Sequence, residues 1–562
     1  MLTLYLCVNL LFMRFLFAAF TLFFAFTSSA QTKKSTTVSS TTFSRPKLVV
    51  GIVIDQMRWD YLYRFNDRFA ADGGVKRFLN QGFTCENTLI PYLPTITACG
   101  HTCVYTGSVP AIHGIIANDW FDPQRGRKVY CTEDSTASAV GFAAGSAGAM
   151  SPFNMKVTTV TDELRMATNF RSKVVGVAIK DRGAILPAGH AASAAYWYDS
   201  KSGNWITSTY YANDLPKWVK DYNATKPVDR FYKQGWNTLY PINTYVQSTA
   251  DEKPYESKPF GSEQKGFPYD LSKFIGKNYG AISSTPYGNS MTLEMAKAAL
   301  ENEKLGADDI TDFLAVSFSS PDYIGHAFGP NSVEQEDNYL RLDKELGSFF
   351  NFLDAKVGKG QYLVFLTADH AVAHVPGFMT ENKLPGGRSA GSRWAKELGT
   401  LLQEKFGAAG LIRTYSNHQV YLNHHIIDSL KLDEAAIKKT VIRYLNQQPE
   451  VFKVFALEEV MQAPLNQTLR EMAVNGYNQK LSGDIQVMLQ SNYMEGGATG
   501  TTHGSWNPYD AHIPLLFYGW NIKHGKTIRE TYMTDIAPTI AALLHIQMPS
   551  GNVGKVIEEV TK

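Results

Sequence analysis

Six Asp and His residues and one hydroxyl stand where metal-assisted chemistry could use them. Asp322 and His326 are four residues apart, close enough on one helical turn or tight loop to ligate one ion. Asp369 and His370 are adjacent, and at a strand end neighbouring side chains can diverge toward two different ions. Asp55 and His503, the latter within Gly500-Thr-Thr-His-Gly504, complete six N/O donors. Six donors suit two zinc ions with three protein ligands each, leaving positions open for a nucleophile and a substrate. Singly, such pairs are often no more than surface or hydrogen-bonded residues. The set carries the reading.

The hydroxyl is Thr97, in the small-residue run Pro94-Thr-Ile-Thr-Ala-Cys-Gly-His101 just before a predicted helix. A helix N-terminus offers amide N–H groups and positive dipole to a phosphate, and a nearby metal would activate the hydroxyl at accessible pH. The bland alternative is a helix N-cap, and on composition Thr95 would serve as well as Thr97. Cys99 carries no mark of an activated thiol. Lys180 and Arg182, two apart at a strand end, can point to one side together. Two cations beside two metals make sense only for a strongly anionic ligand such as a phosphate monoester dianion.

The elements that must hold these groups are legible in the apolar pattern. Leu48–Ile54 ends at Asp55, Val174–Ile179 at Lys180, Phe313–Phe318 shortly before Asp322, and Tyr362–Thr367 just before Asp369. Continuous rather than alternating apolarity marks strands buried on both faces, hence a mostly parallel central sheet flanked by helices, an α/β fold. Such sheets bind ligands at the carboxyl ends of their strands, where the charged residues fall. Helices are expected over Leu293–Glu303, Val333–Leu353, Asp433–Gln447 with Asp433 as N-cap, and Asp535–His545. Two stretches, near 195–290 and 376–490, fit poorly and read as inserted cap segments of a single domain over 46–562.

The 562 residues, 44% hydrophobic with a net charge of +2, exclude a disordered chain and lack the basic footprint of a nucleic-acid binder. Arg14 followed by an apolar run from Phe15 to Phe26 and Thr27-Ser-Ser-Ala30 matches a secretory signal cleaved after Ala30, with Met1 or Met13 as the start. An uncleaved anchor helix is the alternative. After cleavage no span remains, and residues 31–45 form a polar Ser/Thr-rich leader. Cys85, Cys99, Cys103 and Cys131 remain in a compartment that permits disulfides; spacing chooses neither a pairing nor free thiols.

With these residues assembled, the sequence resembles the alkaline phosphatase superfamily, in its phosphodiesterase/nucleotide pyrophosphatase-like branch, and within that the PafA-type periplasmic alkaline phosphatases. The resemblance rests on Gly51 to Leu62, Pro94 to Gly114 with Asn118-Asp-Trp120, Lys180-Asp-Arg-Gly-Ala-Ile-Leu-Pro187, Ser320-Pro-Asp-Tyr-Ile-Gly-His326, Thr367-Ala-Asp-His370 and Thr502-His-Gly504, in the family's order. It implies that Thr97 is the nucleophile of a phosphothreonine intermediate and a ligand of the second zinc. Asp322, His326 and His503 would hold the first zinc, and Asp55, Asp369 and His370 the second. Asn118, with the Thr97 amide, would bind one phosphoryl oxygen, and Lys180 and Arg182 the others.

The expected protein is a secreted or periplasmic zinc enzyme acting on small phosphate monoesters, a monomer without nucleic-acid partner. A phosphodiesterase or nucleotide pyrophosphatase would share the zinc ligands, Thr97 and Asn118. The two cations favour the monoester, since a diester puts an extra substituent where they would sit. A sulfatase signature is missing from the runs after Cys99 and Cys103, and no third ligand set for magnesium is evident. A secreted binding protein with structural metal would favour closed Cys-rich sites. His101, His113 and His374 lie near the motifs and are read as structural.

Overall fold

The computed structural model describes residues 43–141 and 145–562, of which Arg45–Lys562 form one compact unit. The expected signal sequence at 1–30 and all but the last residues of the expected leader lie outside the described residues.

Among the described residues the strands run in chain order as β1 Leu48–Ile54, β2 Phe83–Leu89, β3 Asp119–Asp122, β4 Arg127–Tyr130, β5 Ala139–Val140 and β6 Val174–Ala178. They continue as β7 Ala194–Asp199, β8 Asn204–Ser208, β9 Asp312–Phe318, β10 Tyr362–Thr367, β11 Gly387–Arg388 and β12 Ile412–Ser416. The last are β13 Gln419–Leu422, β14 Val451–Ala456, β15 Ile485–Leu489, β16 Tyr493–Met494, β17 His512–Gly519 and β18 Gly525–Tyr532.

Ten of them make one sheet in the order β18-β2-β17-β10-β1-β9-β6-β7-β8-β5. Its middle, β10-β1-β9-β6-β7, is parallel throughout. Every residue of β1, β6, β9 and β10 is buried, as the unbroken Val/Ile/Leu/Phe runs require of strands covered on both faces. The parallel strands therefore deliver Asp55, Lys180, Asp322 and Asp369 to one edge. β17 runs antiparallel to β10, with Leu515 opposite Thr367, so its start lies at that same edge and carries the preceding His503 loop there. β2 is antiparallel to β17, with Leu89 opposite His512, so the chain leaving β2 also arrives there, just before Thr97.

The two stretches read as insertions differ from each other. The first is not wholly outside the sheet: its opening residues are β7 and β8, whose Tyr196, Trp197, Tyr198 and Trp205 are buried. Aromatic density hid a strand pair that extends the sheet rather than capping it. The second contains a separate four-stranded sheet, β12-β13-β15-β14, with its own apolar core around Trp394, Leu398, Ile437, Val441 and Val487. One of its helices, Glu434–Leu445, is capped by Asp433, whose carboxylate accepts the Ala436 N–H at 2.9 Å. Val333–Leu353 is helical as expected, with Ser332 at its N-cap. All four described cysteines are buried free thiols.

Candidate active site

Thr97 is the first residue of the helix Thr97–Thr106, preceded by Ile96 in extended conformation, so its hydroxyl sits at the amide-rich end. Its Oγ1 lies 3.3 Å from His370 Nε2. Thr95, the compositional rival, is turned away: its hydroxyl donates to Ser505 O at 2.9 Å. Gly100 lets this helix lie directly on the Asp369 loop, since a Cβ there would stand 2.2 Å from Asp369 O. Cys99 donates to Ile115 O and its thiol is pushed far up by burial, which makes it inert.

Around Thr97 the six expected ligands converge. Asp55 Oδ1 and Asp369 Oδ2 lie 3.5 and 3.6 Å from His370 Nε2, and these three residues group within ligating reach as the sequence reading expects. Asp322 groups with His503 and His370, while His326 Nε2 lies 3.2 Å from Asp322 Oδ1. His370 thus falls in both groups, while His326 lies closer to Asp322 than His503 does, at 3.2 against 3.6 Å. The His370 and His503 imidazoles are stacked, with ring centroids 3.5 Å apart at 14°.

The three histidines share one hydrogen-bonding logic. Nδ1 of His326, His370 and His503 lies 2.8, 3.0 and 2.8 Å from the carbonyl oxygens of Thr501, Ala371 and Thr95. A carbonyl only accepts, so each Nδ1 carries the proton and each Nε2 presents a lone pair toward the carboxylates. Lone pair against carboxylate oxygen is repulsive unless a cation stands between them. Asp55 Oδ1 and Asp369 Oδ2 are moreover buried without a hydrogen bond. Asp369 Oδ2 does lie 3.1 Å from His101 Nδ1, but that proton is committed to Thr97 O at 2.9 Å. Orphaned oxygens and neutral imidazoles together are a donor set that fits zinc.

Electrostatics divide the set: His370 and His503 are pushed toward the neutral ring and Asp369 and Asp322 toward the carboxylate, whereas Asp55 is raised and His326, against burial, is raised by Asp322. Burial lowers His370 and, with His370 and His326 beside it, holds His503 far down. Burial raises Asp55, and Asp369 adds to the rise. Burial also works against Asp369 and Asp322, but His370 and His101 for the first, and His326 and Lys180 for the second, outweigh it and hold both below the ordinary carboxylate range.

Lys180, two residues past the end of β6, is buried and its ammonium bridges Asp55 Oδ2 at 2.7 Å and Asp322 Oδ2 at 2.6 Å. The Tyr323 ring covers that ammonium at 5.1 Å. Arg182 does not touch the carboxylates; its Nη1 donates to Tyr130 Oη at 3.1 Å, and Tyr130 in turn donates to Asp181 Oδ1 at 2.8 Å. Asn118, at the entry to β3, accepts the Ala98 N–H on Oδ1 at 3.0 Å, which leaves its Nδ2 free to donate.

Sequence reasoning missed several supporting residues. Gln56, at φ +69°, donates its backbone N–H to Asp369 Oδ1 at 3.1 Å and its amide to Asp322 Oδ1 at 2.6 Å, so one strained residue ties both ligand groups together. Gly325 makes room for it, because a Cβ there would stand 1.8 Å from Gln56 Oε1. His101, read as structural, joins Thr97 O to Ser317 Oγ and flanks Asp369. Tyr130 sits in a β-hairpin with no chemical signature. Only Gln56, beside Asp55, could have been suspected from its place in a motif. His113 and His374 contact none of the six ligands through the hydrogen bonds they make.

No helix among the described residues is long and apolar enough to cross a membrane. Residues 49–508 match the family described as type I phosphodiesterase/nucleotide pyrophosphatase. The chain is 54% identical to the alkaline phosphatase PhoV of Synechococcus elongatus over 95% of its own length and 96% of that protein's. It is 52% identical to a protein of Myroides odoratus named a calcium-transporting ATPase, over 93% and 96% of the two lengths. The crystal structure of wild-type alkaline phosphatase PafA, the protein of Elizabethkingia meningoseptica, superposes with a TM-score of 0.91 at 50% identity, covering 92% of this chain and all of that one. With its sheet, its strand-end donors and these matches in agreement, the chain belongs to the type I phosphodiesterase/nucleotide pyrophosphatase family, among the PafA-type alkaline phosphatases.

Proposed function

We propose that the protein is a secreted or periplasmic alkaline phosphatase that hydrolyses phosphate monoesters through a phosphothreonine on Thr97, at a site holding two zinc ions. The observation that carries the reading is the place of Thr97 Oγ1, 3.3 Å from a histidine shared by both groups of metal-ligand donors. Asp322, His326 and His503 would hold one ion and Asp55, Asp369 and His370 the other, with Thr97 beside the second. Bound there, the pair would supply Lewis-acid stabilisation of the entering and leaving oxygens of an in-line displacement.

The chain's own residues do the rest. Thr97 attacks phosphorus in line with the leaving group; the P–O bond to the alcohol breaks, and the alcohol departs with a proton. Water then attacks the phosphothreonine from the same face the alcohol left, releasing inorganic phosphate and restoring the Thr97 hydroxyl. Asn118 Nδ2 and the helix N-terminus donate to the non-bridging oxygens, where charge spreads in a loose transition state. Tyr130 fixes the Arg182 guanidinium, which binds the doubly charged phosphoryl group. Lys180 lowers the negative charge of the carboxylate cluster that the same dianion approaches.

A second reading, phosphodiesterase or nucleotide pyrophosphatase, is favoured by the family match over 49–508. One experiment separates the two: hydrolysis of an aryl phosphate monoester and an aryl alkyl diester by the mature protein, before and after chelation and zinc return. The proposal expects zinc-restored activity with a large monoester preference. A diester preference moves the protein to the second reading, and activity indifferent to zinc overturns both.

A further inference from the structure

One hairpin of the inserted segment reaches the neighbourhood of Asn118. β12 and β13 are joined by the two-residue loop Asn417-His418, with φ of +53° and +60°, the left-handed pair of a type I′ turn. At its tip Asn417 Nδ2 donates to the carbonyl of Asp119 at 2.8 Å, across 298 residues of sequence. Asp119 follows Asn118 directly and opens the β3–β4 hairpin, whose other end is Tyr130, the anchor of Arg182.

Two further contacts repeat the grip. The Arg413 guanidinium lies over the Phe121 ring at 5.2 Å, and Tyr421 meets the same ring edge-on at 5.8 Å. On its other face the small hairpin buries Trp120 and Val129 against Ala98 and Leu186. Its outer face instead borders a groove of about 550 Å³ shared with the inserted domain, so specific contacts rather than a packed interface hold it there. On the opposite side of the tip, His418 Nε2 would stand 3.5 Å from a Cβ on Gly504, next to His503.

We propose that Asn417 is a positioning residue: by holding the Asp119 carbonyl it fixes the entry to β3 and thereby aims Asn118 Nδ2 at the phosphoryl oxygen. The inserted domain so acts on the reaction without touching substrate through this residue. The inference rests on the role given to Asn118 above.

A double-mutant cycle tests it on the full mature protein. Asn417→Gly keeps the left-handed turn but removes the donor; Asn417→Asp also tolerates that conformation and sets an anion against the carbonyl. The expected result is an about tenfold loss of monoester kcat/KM, mainly in kcat, on a displacement well under 1 Å. In an Asn118→Ala background the same change should cost less than about twofold, because residues acting through one another are not additive. Thermal midpoint and zinc content should stay at wild-type values.

Equal losses in both backgrounds, or none in the wild type, overturn the proposal while leaving Asn118 in its role. Full activity of Asn118→Ala alone overturns that role and the proposal with it. If both Asn417 variants lose midpoint and zinc together with activity, the contact is architectural and the proposal fails.

Discussion

At the scale of single residues, the two cations near Thr97 are not equivalent. Lys180 is locked onto Asp55 and Asp322, whereas Arg182 is held from behind by Tyr130 and makes no bond to either carboxylate. Removing Lys180 unbalances the ligand cluster itself, so Lys180→Ala should depress monoester and diester hydrolysis alike. Arg182→Ala should act on the dianion selectively, costing about 10²-fold in monoester kcat/KM, the usual loss for one charge-stabilising donor, and less than tenfold on a diester. Paired kinetics on the two substrates check this. Equal losses from Arg182→Ala would remove Arg182 from phosphoryl binding.

At the scale of elements, the approach of the nucleophile helix to the Asp369 loop is set by a missing side chain. A methyl on Gly100 would meet backbone, the Asp369 carbonyl, rather than a yielding side-chain tip. Gly100→Ala must therefore shift the helix or the loop, costing about 1–3 kcal/mol of stability as overpacking does. Since Thr97 and Asp369 ride on these two segments, turnover should fall more than tenfold. Thermal denaturation and steady-state kinetics of the variant check both numbers.

The same element shows why the sequence disclosed so much of the site and where it stopped. Buried parallel strands write continuous apolar runs, and their ends are marked by Asp55, Lys180 and Asp369, so the strand-end chemistry is local in sequence. Gln56, Tyr130 and Asn417 gain their roles only from contacts over long sequence separations, such as Tyr130 with Arg182 or Asn417 with Asp119. The pair β7–β8 was hidden for another reason: Tyr and Trp pack a sheet strand as readily as a cap, and burial alone distinguishes them. The stacking of His370 on His503 is likewise a long-range contact, which no spacing encodes.

Within the inserted domain, His424 lies between Asp484 at 2.9 Å and Glu434 at 3.1 Å. The Asp484 hydrogen bond, opposed by burial, raises its pKa to about 9. A folded-state pKa above the unfolded one means that the pair stabilises fully below about pH 6.5 and loses that contribution as pH rises through about 9. The ring is partly exposed, so the term is about 1 kcal/mol at most. His424→Gln should therefore lower the thermal midpoint at pH 6 and converge with wild type above pH 9.5. Parallel pH profiles for the two proteins would refute the coupling.

For the whole molecule, the sheet edge gathers more buried negative charge than it neutralises: Asp55, Asp322 and Asp369 face the single ammonium of Lys180. Folding thus assembles a repulsive cluster that bound cations relieve, and metal binding becomes folding free energy. Zinc at a hundred times its Kd should stabilise the fold by about 2.7 kcal/mol per site, and chelation should lower the thermal midpoint accordingly. Asp55→Asn separates the two halves of this argument. With zinc removed, the variant should unfold at or above the wild-type midpoint, because one of the mutually repelling carboxylates is gone. With zinc returned, it should gain markedly less than wild type, because an orphaned ligand oxygen, Asp55 Oδ1, is gone too. Calorimetry of both proteins, chelated and zinc-loaded, reads the effect without reference to catalysis. An undiminished zinc-induced rise in the variant would show that Asp55 is no ligand, and a lower chelated midpoint would show that the carboxylate stabilises the fold by itself.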